Sequence, residues 1–276
     1  MDTLKRLKDF KSTYTGINWR DMKFPPSIKP NDSLSFCDLR SARFDKLDLS
    51  NVEFFGCLLN GASFREAILH ETKFLYCFSS PDYAPTDFIT GILRNVKVQN
   101  SHLISCLFDA ESKPIFANLS WPSEVLAAAT KMLSERNDLR YDAVEELGNL
   151  GNPVASPILG CMLADPEWDV RASSFEALQK LSPWDFIDKD LILLKWMLLS
   201  LGDKHSIVRH KASELIETLS QNNINLLFRS IDEMSQSPLL EQQLTAVGIA
   251  IELNEIDEQY LSLLERDDLK RILLIP

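Results

Sequence analysis

The residues able to do chemistry in this chain of 276 are few in kind: five cysteines, four histidines and a surplus of carboxylates. Cys37, Cys57 and Cys77 recur every twenty residues. A zinc site needs ligands converging tetrahedrally, and one column does not converge, so the three are expected to be small inward-facing residues. His205 and His210 lie five apart across a predicted helix start, a poor ligand spacing, and His70 and His102 are expected at the surface or at corners. No histidine stands beside a candidate nucleophile, so neither Ser/His/Asp nor Cys/His catalysis has support. The sequence holds no P-loop, GxGxxG, HExxH, GxSxG or CxxC, and its nine glycines form no phosphate cradle. Carboxylate pairs fall on predicted helix surfaces, where pKa values are rarely shifted. The expectation is a protein that is not an enzyme and takes no cofactor or metal.

The elements that hold these residues repeat. From Leu34 every fifth residue is apolar: Leu34, Leu39, Phe44, Leu49, Phe54, Leu59, Phe64, Leu69 and Phe74. Two residues before each runs a mostly small series, Cys37, Ala42, Cys57, Ala62 and Ala67 among them. Neither the 3.6-residue period of a helix nor the two-residue period of a strand gives this. Such an array buries each unit only against its neighbours.

The units CDLRS, ARFDK, LDLSN, VEFFG, CLLNG, ASFRE and AILHE, residues 37–71, resemble the pentapeptide-repeat family. The resemblance covers about residues 32–110 and implies a right-handed quadrilateral β-helix, four units to a coil, with central and small residues inward. Residues twenty apart should then stack at the spacing of neighbouring strands. A four-residue insertion near 80–85 restores every column beyond it, with Phe88 and Phe108 continuing Phe44 and Phe64. A β-helix unbroken to about Phe108 follows, with a loop bulging at Pro81, Asp82, Tyr83 and Pro85. Residues 1–30 are assigned to an N-terminal cap, with a short amphipathic helix at 2–12. An early coil carrying Trp19 and Phe24 is the other reading of that stretch.

Residues 111–122 form a connector marked by two prolines, and from Ser123 the period is helical. Leu139-Arg140…Ala143…Leu147 is echoed by Val170-Arg171…Ser174…Leu178 and Val208-Arg209…Ala212…Ile216. This resembles HEAT repeats, helical hairpins, over about 123–266. The helices are read as 123–135 with 139–150, 154–164 with 168–181, 186–201 with 206–220, and 224–235 with 238–253, with a last one near 256–266. The resemblance implies that Arg140, Arg171 and Arg209 bond acids and carbonyls of adjacent turns, and Asp138, Asp169 and Asp203 stand near them.

The fold class is thus mixed β then α solenoid, a right-handed quadrilateral β-helix joined end to end to a HEAT-like α-solenoid, with the helical part spanning 123–276. Charge is segregated. Residues 1–110 hold 14 basic and 13 acidic side chains, residues 111–276 hold 15 and 27. So acidic a second half argues against a nucleic-acid target, and no apolar run reaches a membrane span. Five cysteines and the polar start MDTLKRLKDFKS suggest a cytoplasmic protein. The function expected is a non-catalytic protein–protein interaction scaffold of sequestering, immunity or regulatory type, its partner another protein with a basic surface. The candidate contact residues are Asp82 and Tyr83 on the loop, and Glu145, Glu146, Asp188, Asp190, Glu255, Asp257 and Glu258 in the acidic half. Two alternatives come from the resemblances. Some pentapeptide-repeat proteins mimic DNA and modulate gyrase or topoisomerase, although the near-neutral first half lacks the charge for it. Some HEAT-like proteins act as bilin lyases, for which Cys161 is the plausible thiol.

Overall fold

The computed structural model describes residues 13–23, 28–109, 121–181, 191–237 and 239–252. The chain divides into two compact units, Met1–Ser182 and Pro183–Pro276.

In the first unit, short parallel strands stack in register. β1 (Thr13–Thr15), β2 (Ser33–Ser35), β3 (Glu53–Phe55), β5 (Lys73–Leu75) and β7 (Lys97–Gln99) form one wall, and β4 (Ile68–His70) pairs with β6 (Ile92–Arg94) in another. Partners lie twenty residues apart up to Leu58↔Phe78, twenty-four apart at Ser63↔Asp87, and twenty apart again at Asp87↔Leu107. The expected four-residue insertion therefore lies between Phe78 and Asp87. The sheet begins at Thr13, and Trp19 is buried in its core. Part of the stretch assigned to the cap is thus already a coil. The helix expected at 2–12, and Phe24, lie outside the described residues.

Stacking of like on like holds the interior. The rings of Phe44, Phe64, Phe88 and Phe108 follow one another at 4.8, 4.8 and 5.0 Å, with interplanar angles of 11°, 6° and 7°. Phe54 and Phe74 stack at 4.9 Å. Between the two columns the rings meet edge to face, as Phe54 does with Phe64 at 88°, the geometry the ring quadrupoles favour. The small inward residues do a second job. Cys57 and Cys77 donate their thiols to Leu34 O and Phe54 O, and Thr72, Thr86 and Ser101 donate hydroxyls to Leu49 O, Leu59 O and Phe74 O. Each bond reaches one coil back, so a residue small enough to fit is also able to tie the coils together. The corners turn on left-handed residues five apart, among them Ser41, Lys46, Asn51, Gly56, Gly61 and Glu66, with φ between 58° and 71°. Each non-glycine there costs on the order of 1–2 kcal/mol, which the stacked interior must offset.

The helices in the described residues are α1 (Ser123–Lys131), α2 (Asn137–Leu150), α3 (Ser156–Met162), α4 (Trp168–Leu181), α5 (Ile192–Leu199), α6 (Ser206–Asn222), α7 (Ile224–Ser235) and α8 (Leu240–Glu252). Their pairing follows the expected hairpins: α1 with α2, α3 with α4, and α7 with α8. The helix expected at 256–266 lies outside the described residues.

Within the first unit the helices that follow the β-helix also pack against its coils. Phe36, Phe55, Leu58 and Phe78 point outward from the coils, yet they are buried. The thiol of Cys161 on α3 reaches Gly56 O at 2.7 Å, Arg40 donates to Leu133 O at 2.7 Å, and Ser80 bonds Thr130 at 2.9 Å. Trp121 stacks on Phe78 at 5.2 Å and donates its indole N–H to Asn100 O. These contacts span the coils from Arg40 to Asn100, so α1–α3 lie along one side wall. Fully burying such a side chain contributes about 1.5–3 kcal/mol.

In the second unit α5 turns Leu193, Leu194, Met197 and Leu198 inward, and α6 does the same with Val208, Ala212, Leu215 and Leu219. Leu227, Ile231 and Met234 of α7 complete that core.

Candidate protein-binding surface

The insertion is a fixed loop. Asn60, buried at 4% exposure, sits one coil below it. Its amide donates to Ser80 O at 2.9 Å and Ala84 O at 3.3 Å, and its oxygen accepts from Ser80 N at 3.0 Å. Thr86 anchors the far end through Leu59 O and Ser79 Oγ. Between these ties Pro81, Asp82, Tyr83 and Ala84 are exposed, with Tyr83 at 41%. The two loop residues singled out from sequence are thus held out into solvent on a rigid base.

Glu145 is exposed and Glu146 half-buried on α2, where with Asp142, Asn149 and Leu150 they line an open hollow of about 380 Å³. Glu146 takes the Nζ of Lys131, and Glu145 accepts from Tyr141 at 3.0 Å. That hydrogen bond raises the Tyr141 pKa. Neither Asp82 nor Tyr83 lines this hollow. Asp188, Asp190, Glu255, Asp257 and Glu258 lie outside the described residues.

The repeated arginines are structural, and Arg140 takes an acid other than the nearest one. Arg140 forms a bidentate pair with Asp165, at 2.7 and 2.9 Å, and also donates to Ser134 O and Glu135 O. The pair raises the Arg140 pKa. Asp138 is instead held by Arg136. Arg171 donates to Asp165 O and Pro166 O, and Arg209 to Asp203 O at 2.8 Å. Each guanidinium therefore secures the turn before its own helix. A cleft of about 320 Å³ opens where α2 and α4 begin beside the first coils. Its cations are all engaged: Arg20 by Glu135, Arg40 by Asp38, Arg140 by Asp165. Such a cleft has little charge left for a ligand.

The thiols and histidines also find structural roles. All five cysteines are buried and free. Burial pushes the Cys37, Cys57 and Cys161 thiols well up and Cys106 up to about 12. A thiolate nucleophile needs a lowered pKa and access, so Cys161, donating to Gly56 O under α3, is poorly placed for attaching a chromophore. His102, expected at the surface or a corner, is 4% exposed beside Phe78 and Trp121. Burial lowers its pKa. Trp168, the first residue of α4, is 39% exposed.

On the walls, opposite charges stack from coil to coil: Lys73 on Glu53 at 3.0 Å, Arg65 on Asp87 at 2.5 Å, Lys46 near Glu66 at 3.8 Å. A duplex mimic needs unbroken rows of negative charge, and Lys46, Arg65 and Lys73 interrupt these rows. The outward apolar residues of the covered wall, Phe36, Leu58 and Phe78, escaped the sequence reading. Their signal was an apolar residue at a spacer position of the repeat.

Comparison with known proteins agrees with this architecture. The pentapeptide-repeat model matches in eight copies over residues 33–70 and 48–77, and the HEAT-repeat model matches residues 155–184. No curated protein matches the chain. Among solved structures, QnrB1, a plasmid-mediated fluoroquinolone resistance protein, is 22% identical over 33% of this chain and 42% of its own, with a TM-score of 0.19. A pentapeptide repeat protein from the Arabidopsis thaliana thylakoid lumen is 15% identical over 43% and 72%, with a TM-score of 0.26. This chain thus spans less than half of the QnrB1 structure. In the described residues no helix is long and apolar enough to cross a membrane.

Proposed function

We propose that the protein is a non-catalytic scaffold that binds another protein, with the loop at residues 80–85 as a principal contact. One observation carries this reading. Asn60 and Thr86 tie both ends of a four-residue insertion while Asp82 and Tyr83 stand in solvent. Fixing a loop before binding reduces the entropy lost on association, and an exposed tyrosine on a rigid base is a residue type enriched at interfaces. The acidic hollow of α2 offers a second contact for a partner with a basic surface, where charge would steer encounter more than add affinity. Sequestering, immunity or regulatory roles all fit such a scaffold. The basic residues among the wall charges speak against a gyrase-directed DNA mimic, and the buried Cys161 against a bilin lyase.

Deleting residues 81–84 tests the proposal, because it returns the coil spacing to twenty and leaves the stacked interior intact. A partner captured by the whole chain from its native host should be lost, with the thermal transition little changed. Undiminished capture by the deletion variant would contradict the role of the loop. Substrate turnover by the purified chain would contradict the scaffold itself.

A further inference from the structure

A groove of about 410 Å³ runs beside the loop, within the volume range of ligand pockets. Gly61 lines it where the neighbouring chain passes too close for a side chain. At Gly61, φ is 71° and a β-carbon would lie 3.1 Å from Ser41 Oγ and 3.3 Å from Ala84 Cβ. Ala84 and Pro85 form one bank, Arg43 and Arg65 belong to the other, and the 41%-exposed Leu107 supplies an apolar end.

The hydrogen-bond balance of this groove is unequal. Asp87 is fully engaged, its Oδ2 by Arg65 Nε and its Oδ1 by Ile89 N. Asp45 Oδ1 already accepts from Ser63 Oγ and Arg65 N. Its other oxygen stands 3.7 Å from Arg43, beyond a good hydrogen bond. Among the described residues no hydrogen bond claims the Nη groups of Arg65, and Arg43 is 64% exposed. Asp45 Oδ2 is thus the one carboxylate oxygen here without a hydrogen bond among the described residues, while Arg43 and the Nη groups of Arg65 leave several N–H donors free, so donors outnumber acceptors. An occupant must therefore bring acceptors, and a carboxylate matches the fork in geometry as well as charge.

We propose that this groove docks an acidic segment of the partner protein, with a Glu or Asp on Arg43 and Arg65 and an apolar residue against Leu107 and Pro85. This rests on the protein-binding reading of the loop and adds the chemistry of the bound segment. It differs from the hollow on α2, which calls for a basic contact.

Selection of a random linear heptapeptide library against the full chain tests it. The enriched peptides should carry Asp or Glu, and their affinity should fall at least tenfold for Arg43→Gln and Arg65→Gln. It should fall again in high salt, as exposed ion pairs do. Both side chains are exposed, so the variants should unfold at the parent temperature. Enriched peptides without acidic residues, or equal binding to parent and variants, would overturn the proposal. So would self-association of the chain that Arg43→Gln abolishes, because a second copy would then fill the groove. Unchanged capture of the native partner by Arg43→Gln, lost on deleting 81–84, would sink the groove and leave the scaffold reading standing.

Discussion

The ring of Phe36 lies against Gly160, where an added β-carbon would come within 2.5 Å of the ring. Phe36 sits at a corner of the β-helix with φ of 55°, and Gly160 lies on α3. A second contact of the same kind adjoins it, for a β-carbon on Gly56 would meet Pro157 O at 2.7 Å. The helices approach this wall closely because two side chains are missing at the contact.

Gly160→Ala should therefore destabilise the protein by about 1–3 kcal/mol, the usual cost of overpacking. Gly56→Ala should cost at least as much, since its φ of 61° disfavours any β-carbon. Pairing Gly160→Ala with Phe36→Leu should cost less than the sum of the two alone, because the residues touch. Urea unfolding of the four proteins checks this.

Arg140→Ala should cost about 3–5 kcal/mol, because it strands the buried carboxylate of Asp165. Arg136→Ala removes an exposed pair with Asp138 and should leave stability almost unchanged, because solvent screens such a pair. The contrast is measured by thermal or urea unfolding under one set of conditions.

Much of the fold is legible in the sequence because a five-residue register leaves one arrangement that buries every central residue. The columns of Phe44 and Phe54, and the length of the insertion, follow from counting. The covered wall does not. Phe36, Leu58 and Phe78 occupy spacer positions, and what buries them is a set of helices that begins more than forty residues further on. The partner of Arg140 was missed for a related reason: Asp138 is near in sequence but belongs to Arg136, while Asp165 comes from the next hairpin. Of the candidate contacts, Asp82 and Tyr83 could be found from the broken register alone. The Asn60 clamp and the close approach at Gly61 could not, because each is a relation across coils.

Acid and alkali should each loosen the first unit. Burial lowers the His102 pKa, so below the unfolded value of about 6.5 the unfolded chain binds a proton that the folded chain resists. Stability is full above that pH and declines as pH falls through it, and His102→Phe should flatten that limb. Cys106 is raised to about 12, so above about 8.5 the unfolded thiol ionises while the folded one does not. Stability should then fall as pH rises from there toward 12. Melting curves from pH 5 to 10 check both limbs, and a thiol reagent should find no reactive cysteine at pH 8 until the chain unfolds.

Asn60→Ala removes three hydrogen bonds to the loop and leaves buried backbone groups without partners, a loss of about 1–3 kcal/mol. Amide exchange at Asp82 and Tyr83 should quicken, while the column of Phe44, Phe64 and Phe88 stays protected.

The most direct measurement is photo-crosslinking in the native host, with a benzophenone amino acid placed at Tyr83 and, for comparison, at Ser50 on a different coil. A discrete adduct to one protein from position 83, absent from position 50, is the result expected of a scaffold that binds through its insertion. No adduct from position 83, or the same adducts from both positions, would contradict it.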